Sequence, residues 1–167
     1  FHHNAFLLLA NGSEAKIGAL GGQYEHFHNW KRLEETDPGV VDMETLLKGV
    51  CDKRNFLDLF ENFILFDDAG DRTIKIVARN HQFLGVNRAV RAVGQREQNL
   101  GKLGVFWHTQ CSGKSYSMLF FTRKVHLRIG GNYTFLVITD RDDLAGQIYR
   151  THAGCGVVGE KDAVRAA

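Results

Sequence analysis

Gly113, Lys114 and Ser115 close the stretch WHTQCSGKSYSM, residues 107–118. A phosphate-binding loop ends on these three residue types in this order. Its amide N–H groups converge on phosphate oxygens at a helix N-terminus, and the helix dipole favours the negative charge. Lys114 would reach the β- and γ-phosphates, and the Ser115 hydroxyl would ligate Mg²⁺. The full pattern G-x-x-x-x-G-K-[ST] asks for Gly at 108, where this chain has His108. That departure is tolerable if the loop still turns. Cys111 is the greater departure, because Gly at such a place allows close phosphate approach or a positive φ. Beside Lys114 at a helix start, Cys111 would be prone to oxidation, although an inert small side chain is the plainer reading.

Two other constellations are weaker. Glu14-Ala15-Lys16 spells the E-x-K of a restriction-type nuclease site, which also needs an upstream Asp, and residues 1–13 contain none. Glu14 and Lys16 therefore read as exposed hairpin residues. His26 and His28 share one face of a presumed strand, but no third metal ligand stands at a telling spacing, so an aromatic-rich strand is the simpler reading.

A phosphate loop needs a strand before it and a helix after it. Leu103–Trp107 is a short apolar strand candidate, and 114–127 is a helix apolar on much of its surface. Gly130-Gly131-Asn132 stops that helix. Tyr133–Thr139, YTFLVIT, reads as a strand covered on both faces. Strand, loop, helix and strand make a βαβ unit, with a right-handed crossover expected. Asp140 is a helix N-cap candidate by pattern alone. Upstream, 5–9 and 15–20 form a hairpin about Asn11-Gly12, and 24–30 is a half-buried strand. Residues 34–39 make a polar loop. Residues 42–66 read as helical, with Phe56, Leu59, Phe60 and Phe63 on one face. A turn at 67–72 marks a domain boundary. A strand at 73–77 and a helix at 81–93 follow, the helix carrying Phe83, Val86, Val90 and Val93 on one side. Residues 94–102 read as a loop.

The totals set few bounds. At 167 residues the chain can bury a core, and its net charge of +2 gives little steering toward nucleic acid. Three cysteines without a pairing motif point to a reduced, cytoplasmic chain. No stretch approaches the ~20 apolar residues of a membrane helix, so no membrane partner is expected. Lacking an initiator Met and a closing element, the chain is expected to be a piece of something larger.

GVFWHTQCSGKSYSMLFFTRKV, followed by FLVITDRDDLAGQIYRTHAG, closely resembles the motor region of the R (HsdR-type) subunit of type I restriction-modification enzymes. FLLLANGSEAKIGAL, YEHFHNWKR, the stretch Phe56–Asp67 and KIVARNHQFLGVNRAV resemble that family in the same order, so the resemblance spans essentially the whole chain. That family carries HTQGSGKS at the loop, which makes His108 expected and Cys111 the departure.

The resemblance implies an α/β fold: the tail of a restriction-nuclease-type sheet, then the start of a RecA-like P-loop domain with parallel βαβ. It divides the chain into a nuclease-domain tail (1–40), a helical connector (41–72) and the first part of a superfamily 2 motor domain (73–167). It implies an ATP site from Gln82, Thr109, Cys111, Ser112, Gly113, Lys114 and Ser115, with Ser115 on Mg²⁺. Gln82 would read adenine, since its amide both donates and accepts. By pattern alone Gln82 would be a solvated helix residue. Arg141 and Gln147 would contact the DNA backbone, against the adverse charge of Asp142 and Asp143. The parent would be an ATP-dependent, DNA-translocating type I endonuclease, partnered by double-stranded DNA and by the modification and specificity subunits. The family's acidic box, which holds Mg²⁺ and the attacking water, is expected beyond Ala167, so no catalytic residue is assigned and the piece by itself is expected not to hydrolyse ATP. Two alternatives stay open: another P-loop enzyme such as a small-molecule kinase, and a truncated non-catalytic remnant or interaction module.

Overall fold

The computed structural model describes residues 4–68 and 71–156. Residues 69–70 of the expected turn and 157–167 of the expected motor segment lie outside them. Strand β1, Leu7–Ala10, pairs antiparallel with β2, Ala15–Gly18, in the register Ala10↔Ala15. The connecting turn is the one Asn11-Gly12 predicts. Asn11 Oδ1 accepts from the Ser13 and Glu14 amides, and Gly12 takes φ +96°. Ala15 and Ile17 alternate inward into the core.

The third strand is shorter than expected. Tyr24–His26 forms a 3₁₀ turn, and only β3, His28–Asn29, pairs with β2. β2 itself ends at Gly18, so it offers little ladder for a longer partner.

The expected helix over 42–66 is two helices and a strand. α1 is Met43–Val50, capped by Asp42, whose carboxylate accepts from the Thr45 amide at 2.6 Å. Asp52 then starts a new helix, α2, Lys53–Asn62, by accepting from the Arg54 and Asn55 amides. A capping carboxylate in extended backbone cannot continue the previous helix, which is why the run breaks there. β4, Ile64–Asp67, and β5, Ile74–Val77, form an antiparallel hairpin across the expected boundary. On α2, Leu59 is buried and Phe63 follows it into the core, but Phe56 and Phe60 are 41% and 58% exposed. The inferred four-residue apolar face is therefore half right.

α3, Asn80–Gly94, buries Phe83, Val86 and Val93 as its periodicity predicts. α4, Lys114–Arg128, buries Leu119, Phe120 and Val125. α5, Asp142–Gly154, is capped at Arg141 rather than Asp140, and Arg141 makes no side-chain cap bond. The Asp68 amide donates to Gly154 O, which ties the end of α5 to the β4–β5 hairpin.

One hydrophobic cluster joins all three expected segments. Trp30 meets Phe83 at 5.3 Å between ring centroids, Phe83 meets Phe63 at 4.8 Å, and Phe63 meets Phe120 at 5.5 Å. Asn80 fastens the start of α3 to the first segment: its Oδ1 accepts from the Lys31 and Arg32 amides, and its Nδ2 donates to Arg32 O.

The expected parallel βαβ pairing is not formed among the described residues, where both sheets are antiparallel. Residues 103–107 and 133–139 form no strand. Strand propensity needs a ladder partner to become a strand. Neither segment has one here, and Val105, Trp107, Leu136 and Ile138 are each more than 80% exposed.

Candidate nucleotide site

The loop 108–113 runs into the N-terminus of α4, as the GKS ending requires. Gly113 is the N-cap, in the left-handed region at φ 79°, ψ 37°, with no side-chain cap. A Cβ on Gly113 would stand 2.9 Å from Gln82 Nε2, so both its conformation and its neighbour call for glycine. The first-turn amides of α4 are thus left pointing out of the helix end, where an anion is favoured.

Lys114 is exposed and folds back over the loop. Its Nζ donates to His108 O at 2.7 Å and to Thr109 O at 2.8 Å. Ser115 sits half-buried on the first turn of α4. Ser112 is buried, and its Oγ has no hydrogen-bond partner within the described residues. Cys111 is exposed and takes φ 58°. A non-glycine residue there costs ~1–2 kcal/mol, so the loop keeps the glycine-type turn and carries the strain of a Cβ.

Gln82 lies beside the loop and is only 3% exposed, rather than solvated as its pattern suggests. Its Oε1 accepts from the Arg79 amide and its Nε2 donates to Gly113 O, both at 2.9 Å. One lone pair and one N–H of the amide remain uncommitted by these two bonds. Burial follows from position: α3 packs against α4, and Gln82 lies on the buried side of α3 next to Phe83.

The sequence reading missed His81. Its Nε2 lies 3.0 Å from Ser112 O, so it donates there, and its ring centroid is 4.8 Å from that of His108. His108 stacks in turn on Phe106 at 4.5 Å and 9°. Burial lowers the pKa of both His81 and His108, which favours the neutral rings. No local pattern announces His81, because its role depends on a residue 31 positions away. Gly85 lets this aromatic segment approach α3, since a Cβ there would collide with the Phe106 ring. A cavity of about 650 Å³ opens beside the loop, lined by Arg88, Phe106, Trp107, His108 and Lys114 among others. A larger one of about 830 Å³, between β4, α4 and the end of α5, touches no residue of the loop.

Thr109, Cys111, Ser112, Gly113, Lys114, Ser115 and Gln82 are therefore brought together. Arg141 and Gln147 lie apart on α5, both exposed. Glu14 is exposed beside the hairpin turn, and Lys16 lies over the Tyr24 ring at 4.3 Å. His28 accepts a hydrogen bond from Arg79 Nε at 3.1 Å. The groups at the loop fit a polyphosphate: one exposed ammonium, a helix N-terminus without a side-chain cap, a glycine without Cβ and a first-turn hydroxyl.

Residues 81–167 match the SWI2/SNF2 ATPase family, a span that begins at His81 and takes in the loop and both following helices. The chain belongs to that family. Over 90% of its length it is also 36% identical to the type I restriction enzyme HindI endonuclease subunit of Haemophilus influenzae. Over 89% of its length it is 27% identical to an endonuclease subunit assigned to the type I restriction enzyme MjaIXP of Methanocaldococcus jannaschii. The resemblance to type I R subunits read from the sequence thus stands. The chain spans 15% of the first relative and 16% of the second.

Proposed function

We propose that this chain contributes the phosphate-loop half of an ATP site to the DNA-translocating endonuclease subunit of a type I restriction enzyme. The loop carries the reading: a left-handed Gly113 opens the N-terminus of α4 while the Lys114 ammonium rests on two loop carbonyls. Lys114 exchanges those carbonyls for phosphate oxygens. The amides from Cys111 to Ser115, with Thr109 at the loop's entry, cradle the phosphates, and the Ser115 hydroxyl holds Mg²⁺. Gln82 uses its uncommitted N–H and lone pair on adenine while it keeps its bond to Gly113 O. Bound ATP supplies the phosphoryl group whose hydrolysis drives translocation.

Residues 1–40, 41–72 and 73–167 are assigned to the nuclease-domain tail, the connector and the first motor domain of that subunit. Arg141 and Gln147 face the DNA backbone. The modification and specificity subunits are the protein partners, and the cytoplasm is the compartment. No helix among the described residues is long and apolar enough to cross a membrane. Phosphoryl transfer also needs a carboxylate on the metal and on the attacking water, and the sequence contains no Asp-Glu pair to begin such a box. Binding without turnover is therefore what this chain carries. Titration of the purified chain with Mg·ATP, with phosphate release followed in the same sample, is expected to show saturable binding and no release. Absence of binding, or robust release, overturns the proposal.

A further inference from the structure

A second polar cluster lies inside the fold, on the far half of α4 from the loop. Lys124 is 8% exposed. Its Nζ donates to both carboxylate oxygens of Asp58 on α2 and to Oδ1 of Asn87 on α3. Three acceptors thus use the three N–H bonds of the ammonium. Asp58 accepts in addition from Asn62 Nδ2 at 2.8 Å and from Asn87 Nδ2 at 3.1 Å. The Phe63 ring faces the ammonium at 4.8 Å. Burial pulls the pKa of Lys124 down and the Asp58 contact opposes that fall. Arg128 pairs with Glu61, and Arg123 donates to Ile64 O at 2.9 Å, so α4 is tied to α2 and β4 at neighbouring points as well.

This arrangement does more than fill space. A buried ion pair is commonly no more stabilising than well-packed apolar side chains of the same volume. What it adds is direction: its donors and acceptors meet at one register of α4 against α3 and α2. Gly113, Ser117, Phe120 and Lys124 follow one another at helical spacing, and Ser117, Phe120 and Lys124 are all buried. At the other end of that face, Gln82 and His81 of α3 grip the carbonyls of Gly113 and Ser112. Lys124 stands about 15 Å along the helix from Lys114 by the rise per residue.

We propose that Lys124, with Asp58 and Asn87, is a positioning residue for the phosphate loop, setting the register of α4 on α3 so that Gly113 and Lys114 meet Gln82 and the loop carbonyls. The proposal rests on the reading of that loop as a nucleotide site. It also makes α2, part of the expected connector, a support of that site.

The test compares the full chain with the triple variant Asp58→Leu, Asn87→Leu, Lys124→Met. The variant buries no charge, but loss of the Asp58 acceptor leaves the buried Asn62 Nδ2 without its partner, so it is expected to melt a few degrees lower than wild type while still folding. It is expected to bind Mg·ATP at least ~10-fold more weakly, with ~10-fold faster amide exchange at residues 112–115. Lys124→Arg in the wild-type background is expected to keep most of the affinity. Wild-type affinity and loop protection in the triple variant overturn the proposal. If the triple variant does not fold, Asn87→Ala, which keeps the ion pair but cuts the tie to α3, carries the same two readouts. If wild type itself does not bind Mg·ATP, the nucleotide reading fails, and loop exchange alone decides the positioning role.

Discussion

At the scale of single residues, Cys111 stands in the loop at a place where the resemblance expects glycine. The GKS triplet opens the helix that the sequence predicts after it, and Gln82 is buried beside the loop rather than solvated as its pattern suggests. The φ of Cys111, 58°, is a glycine's conformation, the positive φ that a glycine at this place would allow. Cys111→Gly relieves ~1–2 kcal/mol of left-handed strain against ~0.5–1 kcal/mol of added unfolded-state entropy. A net gain of ~0.5–1 kcal/mol is expected, a rise of ~1–4 °C in melting temperature by calorimetry. No rise, or a fall, would show that the Cys111 side chain makes a compensating contact.

His28 supplies a second residue-scale prediction. Burial, with Arg79 next, lowers its pKa from 6.5 to about 4. Its Nε2 accepts from Arg79 Nε, which only the neutral ring can do. A depressed folded pKa means that the unfolded chain takes up the proton first. The contribution of His28 is therefore complete above pH 6.5 and is lost as pH falls toward 4. Melting temperature measured from pH 7 to 4.5 should fall less steeply in His28→Gln, which can still accept but does not titrate. Parallel curves would contradict the assignment. Sequence alone offered His28 as a metal-ligand candidate or a strand residue. Its real partner lies 51 positions away and no local pattern could name it.

At the scale of elements, periodicity located α3 well, because it is long and has one buried face, while α4 was legible from its apolar length between the loop and the Gly130-Gly131 stop. It failed on 42–66, where two short helices and a strand share one apolar run and the Asp52 cap decides the break. It failed again at 103–107 and 133–139. Composition there measures strand propensity, whereas a strand needs a neighbour. Gly49 gives the test at this scale. α1 approaches Trp30 so closely that a Cβ at Gly49 would overlap the indole, and Trp30 is 1% exposed. Gly49→Ala therefore overpacks the contact and is expected to cost about 1–3 kcal/mol despite its better helix propensity. A chemical denaturation midpoint equal to or above wild type would contradict the packing of α1 on Trp30.

For the whole molecule, the resemblance divides the chain at 40 and 72, yet one core of aromatic rings runs from Trp30 through Phe63 and Phe83 to Phe120. Unfolding in urea is expected to be a single transition, with far-UV circular dichroism and tryptophan fluorescence superimposing. Two separated transitions would show that the expected units fold independently. The sequence could not reveal this shared core, because it depends on contacts between segments rather than on patterns within them.

Nucleotide binding by this chain depends on the loop. Equilibrium titration of Mg·ATP into the intact chain, beside Lys114→Ala, tests it most directly. Losing a charge-assisted contact of ~1.5–3 kcal/mol should weaken binding about 10- to 150-fold without unfolding the chain. Equal affinity in the two proteins would mean that Lys114 meets no phosphate and that the loop is not the nucleotide site.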